Sequence, residues 1–325
     1  MADVARAAGV SQQTVSRVAN GLPNVNEQTR QRVQAAMQEL GFRPSYAGRS
    51  LRDGRYHSVG LCVNDVTKFG NLSMIDGIAS AAREHNCAIT LVEMSKTEEF
   101  SLAEATRRMA ALPVDGIIIG MSRMAPDFET FDPLPGIGTV IVTMYAHPRV
   151  TTVDSDHYSC SLLLMDHLFE LGHEQIRYIG GPSFSVDEQF RRAGWQDALE
   201  RNHIEPAEPL EGDWSANSGY EAGRYLAEHD RTMTAIYAAN DQMANGAIAA
   251  LRDSGLRVPE DVGVDDSLDD FVAHNELTTV RFDLHQRGRE VFEHAVPEAG
   301  TAGKTVAIRI PGQLIIRHST AAPRA

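Results

Sequence analysis

Cysteine is scarce in this chain: Cys62, Cys87 and Cys160 lie far apart, form no CxxC pair and have no histidine pair beside them at metal-ligand spacing. A disulfide framework and a zinc module are thereby excluded, and reduced, buried thiols are expected. Long apolar runs are also missing. No stretch approaches the roughly 18 residues of a membrane-crossing helix, and the opening MADVARAAGV has neither the charged nor the apolar region of an export signal. A cytoplasmic location without membrane contact is the expectation. The sequence also lacks GxSxG, a P-loop, HExxH and a GxGxxG at a strand-helix junction, and the pair Asp265-Asp266 has no second element to make it acid and base. No enzyme, cofactor or metal is expected. Positive charge is in deficit, 30 Lys plus Arg against 44 Asp plus Glu for a net -14, which argues against a general nucleic-acid coat.

What is present changes that reading. A length of 325 residues suggests two or three domains, and 42% hydrophobic with 23% charged residues is enough to bury several cores. The charge is uneven. Residues 1–55 hold eight arginines against four acids, +4, while the other 270 residues carry -18, the pattern of a basic nucleic-acid-contacting piece on an acidic body.

Within the basic segment, Asp3 to Ala8 reads as a short helix stopped by Gly9, and Ser11 as the cap of a second helix from Gln12 to Asn20. Val15 and Val18 give the second helix an inward face. Gln12, Gln13, Ser16 and Arg17 point elsewhere, side chains suited to base edges and phosphates. A third helix, Glu27 to Leu40, repeats Val33, Met37 and Leu40 at helical spacing to cover the other two, and Gly41 stops it. The stretches ADVARAAGVSQQTVSRVANG and VNEQTRQRVQAAMQELGFRPS resemble the helix-turn-helix headpiece of the lac repressor family of bacterial regulators. The resemblance implies a second helix in the major groove, with Gln12, Gln13 and Arg17 as readers and Ser11, Thr14 and Ser16 touching phosphates. It also implies that the linker PSYAGRSLRDG folds into a hinge helix on operator DNA, with Leu51 as the minor-groove wedge. A flexible basic tether is the alternative for this linker, and Gly48, where the family usually has Ala, weakens a helix there.

From Val59 onward, short apolar runs alternate with amphipathic helices: VGLCV, helix Leu72 to His85, AITLVE, helix Glu98 to Leu112, DGIIIG, then VIVTMY, TTVDSD and helix Tyr158 to Leu171. IRYIGG opens a second series, through helices Val186 to Asn202, Ala216 to His229 and Asp241 to Ser254. This is an α/β pattern of parallel sheets with helices on both faces, in two similar lobes with a cleft between, where ligands sit at the carboxyl ends of strands. DGIIIG, LGHEQIRYIGGP, RRAGWQDAL, EGDWSANSGYEAG and AANDQMANGAI extend the family resemblance over the body. It implies a periplasmic-binding-protein-like fold used as an effector sensor, in which Arg191, Asn240 and Asp265 hydrogen-bond sugar hydroxyls and Trp214 lies under the sugar ring. Thr143 stands where a sugar-sensing member of the family has an acid, Phe282 where it has a Gln, and Lys68 and Asn71 lie in the first-lobe loop, so the sugar preference is not inherited.

After LRVPEDV the text runs GVDDSLDD, about three apolar residues short of the family pattern near Val262, which shortens a second-lobe strand. The expected organisation is a headpiece at 1–43, a hinge at 44–56 and a two-lobed effector-binding and dimerisation domain at 57–325. No apolar heptad tail follows LIIRHSTAAP, so a homodimer on an approximately palindromic operator is expected. A sugar-binding protein of the transport class, with the same body, is the alternative.

Overall fold

A computed structural model describes residues 1–42, 50, 54–67, 69–94, 101–230, 232–258, 261–263, 276–297 and 304–323. The chain forms two compact units, Met1–Tyr56 and His57–Ala325.

The first unit has three helices: α1 Ala2–Ala8, α2 Gln12–Ala19 and α3 Glu27–Glu39. Gly9, at φ 62°, ends α1 in the left-handed conformation that glycine adopts without steric cost. Ser11 caps α2 by accepting the Thr14 N–H at 3.1 Å, and Asn26 caps α3 by accepting that of Thr29 at 2.7 Å. Val4, Ala8, Val15, Val18, Val33 and Ala36 form the core, with Met37 packed against it. Leu40 differs from expectation: it is 48% exposed, because the helix ends at Glu39 and Gly41 turns the chain, and Ala36 fills the inward position instead.

The body starts with β1 Ser58–Val63, α4 Phe69–Glu84, β2 Ala88–Glu93, α5 Leu102–Ala110, β3 Gly116–Gly120, β4 Gly138–Val142 and β5 Thr151–Ser155. Helix α5 starts at its Ser101 cap; Glu98 lies outside the described residues. Strands β1 and β3 are buried along their whole length, as continuous apolar runs are when helices cover both faces of a parallel sheet, whereas β2, at the edge, is half-exposed. Cys62 and Cys160 are buried thiols, but Cys87 is only half-buried.

The second series is α6 His157–Glu170, β6 Ile176–Gly180, α7 Val186–Arg201, β7 Leu210–Glu211, α8 Ala216–His229, β8 Ala235–Ala238, α9 Asp241–Asp253 and β9 Asp261–Gly263. Its parallel sheet runs β7-β6-β8-β9, and the edge strand β9, beside the shortened text, has three residues. Trp195, fully buried, stacks on Tyr178 with ring centroids 4.9 Å apart in this lobe's core. Such a pair contributes about 1 kcal/mol beyond its area burial.

The chain then returns. β10 Thr279–Phe282 packs in the second lobe, α10 Leu284–Ala295 in the first, and β11 Ala307–Ile310 joins the first sheet beside β5, giving the all-parallel order β11-β5-β4-β3-β1-β2. Finally β12 Gly312–Ile315 pairs antiparallel with β10. The lobes are therefore joined three times: between β5 and α6, between β10 and α10, and between β11 and β12. Gly77 and Gly288 let α4 and α10 touch backbone to backbone, since a Cβ on Gly288 would sit 2.1 Å from the Gly77 carbonyl carbon. No helix among the described residues is long and apolar enough to cross a membrane.

Candidate functional site

In the first unit, Gln12, Gln13, Ser16 and Arg17 are spaced at one helical turn on the side of α2 away from Val15 and Val18. Ser11, Gln12 and Gln13 are exposed, and Thr14, Ser16 and Arg17 half-buried. The hydroxyls of Ser11 and Thr14 are hydrogen-bonded at 3.0 Å. Ser16 receives the Asn20 amide on its carbonyl at 2.5 Å. Arg17 donates Nη2 to the Pro23 carbonyl at 2.9 Å, and Arg30 reaches the Leu22 carbonyl at 3.3 Å, so two guanidiniums hold the turn after α2. This face carries hydrogen-bonding groups of both senses plus a cation, which is what reading base edges and phosphates requires. Leu51 lies outside the described residues.

In the body, three of the expected side chains come together. Arg191, on α7, is buried, donates Nη1 to the Ala239 carbonyl at 2.7 Å, and places its guanidinium carbon 5.3 Å from the centre of the Trp214 ring. Asn240 caps α9 by accepting the Met243 N–H at 2.9 Å and donates its amide to the Trp214 carbonyl at 3.0 Å. That bond holds Trp214 in a left-handed conformation, φ 73°. The indole lies on Gly181, where any Cβ would fall 2.2 Å from Cζ2. Gly181 is in turn fixed by the buried Glu188, which accepts its N–H at 2.7 Å. Burial raises the Glu188 pKa against the opposing bonds from Gly181, Tyr178 and Arg192.

The other expected residues are placed apart. Phe282 is 7% exposed, with its ring edge-on to His157 at 5.2 Å, so it forms a wall of the second-lobe core. Thr143 is buried and accepts the Tyr145 N–H at 3.3 Å. Asn71 donates to the Asp65 carbonyl at 2.6 Å. No hydrogen bond joins Thr143 or Asn71 to Arg191, Trp214 or Asn240. Asp265 and Lys68 lie outside the described residues.

The structure adds a charged cluster that the motif reading passed over. Asp154, at the carboxyl end of β5, is 3.3 Å from Arg287 of α10; Arg287 also donates to the Ser155 hydroxyl at 3.1 Å. His157 Nε2 lies 3.8 Å from Asp154 and 3.6 Å from Asp187, in the first turn of α7. The one available signal was an acid at a strand's carboxyl end followed three residues later by a histidine, within TTVDSDHY. Burial pushes the Asp154 carboxyl up to about 7, with Asp187 adding to it and Arg287 opposing. Burial also raises Asp187, against Arg191 and Arg287, and holds His157 well below its ordinary range, helped by the same two arginines.

These three ligand-type atoms lie within 4.8 Å of one another, a spacing open to a metal ion. The donor set does not fit one. His157 Nδ1 faces Arg191 Nη2 at 3.2 Å, and a guanidinium only donates, so Nδ1 carries the lone pair and Nε2 the proton. Nε2 therefore points an N–H, not a lone pair, at Asp154 and Asp187.

The start of α7 also ties the lobes together. Val186 donates its N–H to the Ser122 carbonyl at 3.0 Å, Arg123 lies 3.9 Å over the Phe184 ring, and the Tyr145 hydroxyl donates to Gln189 at 2.9 Å. Asp187 and Arg191 thus stand on the segment that meets the first lobe. A separate shallow groove of about 490 Å³, lined by Ala103, Arg107, Phe131 and Leu134 among others, shares no residue with this site.

A helix-turn-helix unit joined to a two-lobed α/β body whose polar residues converge where the lobes meet defines a ligand-responsive DNA-binding regulator. The family of lacI bacterial regulatory proteins matches residues 1–45, and the periplasmic binding protein-like domain matches residues 165–320. The lactose operon repressor of Escherichia coli (strain K12) is 31% identical over 326 residues, covering 99% of this chain and 90% of the relative. Catabolite control protein A of Priestia megaterium is 29% identical over 288 residues, 86% of each chain. Among solved structures, the lac repressor bound to ONPG in its repressed state superposes with a TM-score of 0.85 at 30% identity, covering 98% of both chains. A transcriptional regulator CelR–cellobiose complex does so at 0.68 and 28%, again over 98% of both. This chain belongs to the lacI family, whose members act as DNA-binding transcriptional regulators rather than enzymes.

Proposed function

We propose that this regulator is a cytoplasmic, homodimeric repressor whose affinity for an approximately palindromic operator is set by a small carbohydrate bound between the lobes. The observation that carries the reading is the convergence of Arg191, Trp214 and Asn240 on one spot: an aromatic face for the C–H side of a sugar, and donors and acceptors for its hydroxyls. The printed ligands of two neighbours, cellobiose for CelR and ONPG for the lac repressor, support a glycoside-sized site. The lac repressor dimer bound to operator supports the assembly. In this reading residues 1–43 form the headpiece and 44–56 a hinge whose Leu51 wedges the minor groove. Ser11, Thr14 and Ser16 contact phosphates, while Gln12, Gln13 and Arg17, released from Pro23, read bases. Asp265, Lys68 and Asn71 supply further polar contacts, and Thr143 and Phe282 offer the sugar less polarity. Binding in the cleft changes the relation of the lobes and so of the hinges. The coupling is reciprocal, so operator weakens an inducer's binding as much as the inducer weakens operator binding. A transport-class binding protein has no use for the exposed polar face of α2.

The test is selection of bound DNA from a random library with the full-length protein, then a screen for sugars that release it. An approximate palindrome is expected, with log affinity falling linearly as log salt rises. Binding independent of salt, or a selected site without two-fold symmetry, overturns the dimeric reader.

A further inference from the structure

We propose that Asp187 determines effector specificity, selecting a neutral polyol that donates hydroxyl hydrogens to it and rejecting anionic sugars such as uronates and sugar phosphates. The proposal rests on the reading of the interlobe site as a sugar cleft.

Three observations carry it. First, access: the Asp187 side chain is 39% exposed, whereas those of Asp154, His157 and Arg287 are 6%, 4% and 10% exposed, so Asp187 is the member of the charged cluster that a molecule in the cleft can touch. Second, position: Asp187 precedes Arg191 by four residues on α7, which places a carboxylate and a guanidinium side by side on one helix face. A hydroxyl between them donates to the first and accepts from the second; its neighbour on a sugar ring repeats the pattern. Third, charge: Arg191 already donates to the Ala239 carbonyl and to His157, and the Asp187 carboxyl stands beside it on the cleft side. An anion approaching Arg191 meets the ionised Asp187 carboxylate first.

A second readout follows from the groups that surround Asp187: Arg191 on its own helix, Asp154 on β5, His157 on α6 and Arg287 on α10. Enclosure between the lobes raises its pKa even though the side chain touches cleft solvent. A hydroxyl that donates to the ionised carboxylate favours that form, so binding expels a proton and affinity rises with pH. An anionic ligand has the opposite dependence, because it needs Asp187 protonated.

The experiment is calorimetric titration of the full-length wild type, Asp187→Asn, Asp187→Ala and Arg191→Ala with galactose, cellobiose, glucuronate, glucose 6-phosphate and glucosamine, between about pH 6 and pH 8. Circular dichroism melts check that the variants fold. A neutral saccharide is expected to bind the wild type most tightly and more tightly at higher pH. Asp187→Asn should weaken it about tenfold or more and flatten the pH dependence. Tighter binding of glucuronate, glucose 6-phosphate or glucosamine overturns the proposal. So does neutral-saccharide affinity that stays within about twofold in Asp187→Asn while Arg191→Ala destroys it; the sugar cleft then stands without this role for Asp187. If none of these probes binds the wild type, the sugar reading itself fails and takes the proposal with it.

Discussion

The two units assemble their sites in opposite ways. In the N-terminal unit, the candidate contact residues among the described ones fall between Ser11 and Arg17, on one helix and its cap, held by a core of small side chains such as Val15, Val18 and Val33. In the body, the site draws on β5, α6, α7, α9, α10 and the Trp214 turn, so side chains as far apart in sequence as Asp154 and Arg287 lie 3.3 Å from each other. A helix with a good cap presents its face almost regardless of what the rest of the chain does. A cleft built from segments more than a hundred residues apart exists only once the whole body has folded, and its electrostatics are set by neighbours that no local pattern shows.

That contrast can be broken in three ways. The largest effect is expected for Val33→Asp, which puts a charge in the core of the small unit at a cost of about 3 kcal/mol or more, comparable to the stability of so small a core. DNA binding should vanish while the calorimetric transition of the body stays where it is. A matching drop in the body's transition refutes the independence of the units. Next is the pH profile of the body. Asp154 holds its proton to about pH 7 in the folded protein, against 3.8 as the ordinary carboxyl value, so between these limits the folded state binds more protons than the unfolded one. This site's contribution to stability falls as pH rises through that window, by a few kcal/mol at most. Asp154→Asn should flatten the corresponding slope of Tm against pH; an unchanged slope removes Asp154 as its source. The smallest effect is expected for Ser11→Ala, which deletes the α2 cap and lowers the stability of the N-terminal unit by about 1 kcal/mol without moving the body's melting temperature. A loss in the body instead, measured by calorimetry, contradicts the local account of α2.

Local signals explain what was legible. Capping residues, stop glycines and apolar spacing gave α1 and α2 almost to the residue, and the alternation of apolar runs with amphipathic stretches gave the parallel sheets. Leu40 was misread because its spacing continues the helical stripe, while the chain turns at Gly41 one residue later. The threefold joining of the lobes was not legible: no local pattern shows that β10 and α10 belong to different cores. Arg191, Trp214 and Asn240 were identified as a set, yet Asn240's double duty as helix cap and anchor of the Trp214 carbonyl is a property of the fold. Asp187 and Asp154 are common surface-type residues in the text. Only the fold brings the first turn of α7 beside His157 and Asp154, where burial raises both carboxyl pKa values.

The placement of β11 beside β5 also sets an order in time. A ribosome delivers the three N-terminal helices first, and they can fold while everything else is still to be made. The first lobe's sheet receives its last edge strand only with residues 307–310, which pair with a strand about 150 positions earlier. The three helices of the first unit are thus complete in the order of synthesis long before the first lobe's sheet, whose last strand is β11.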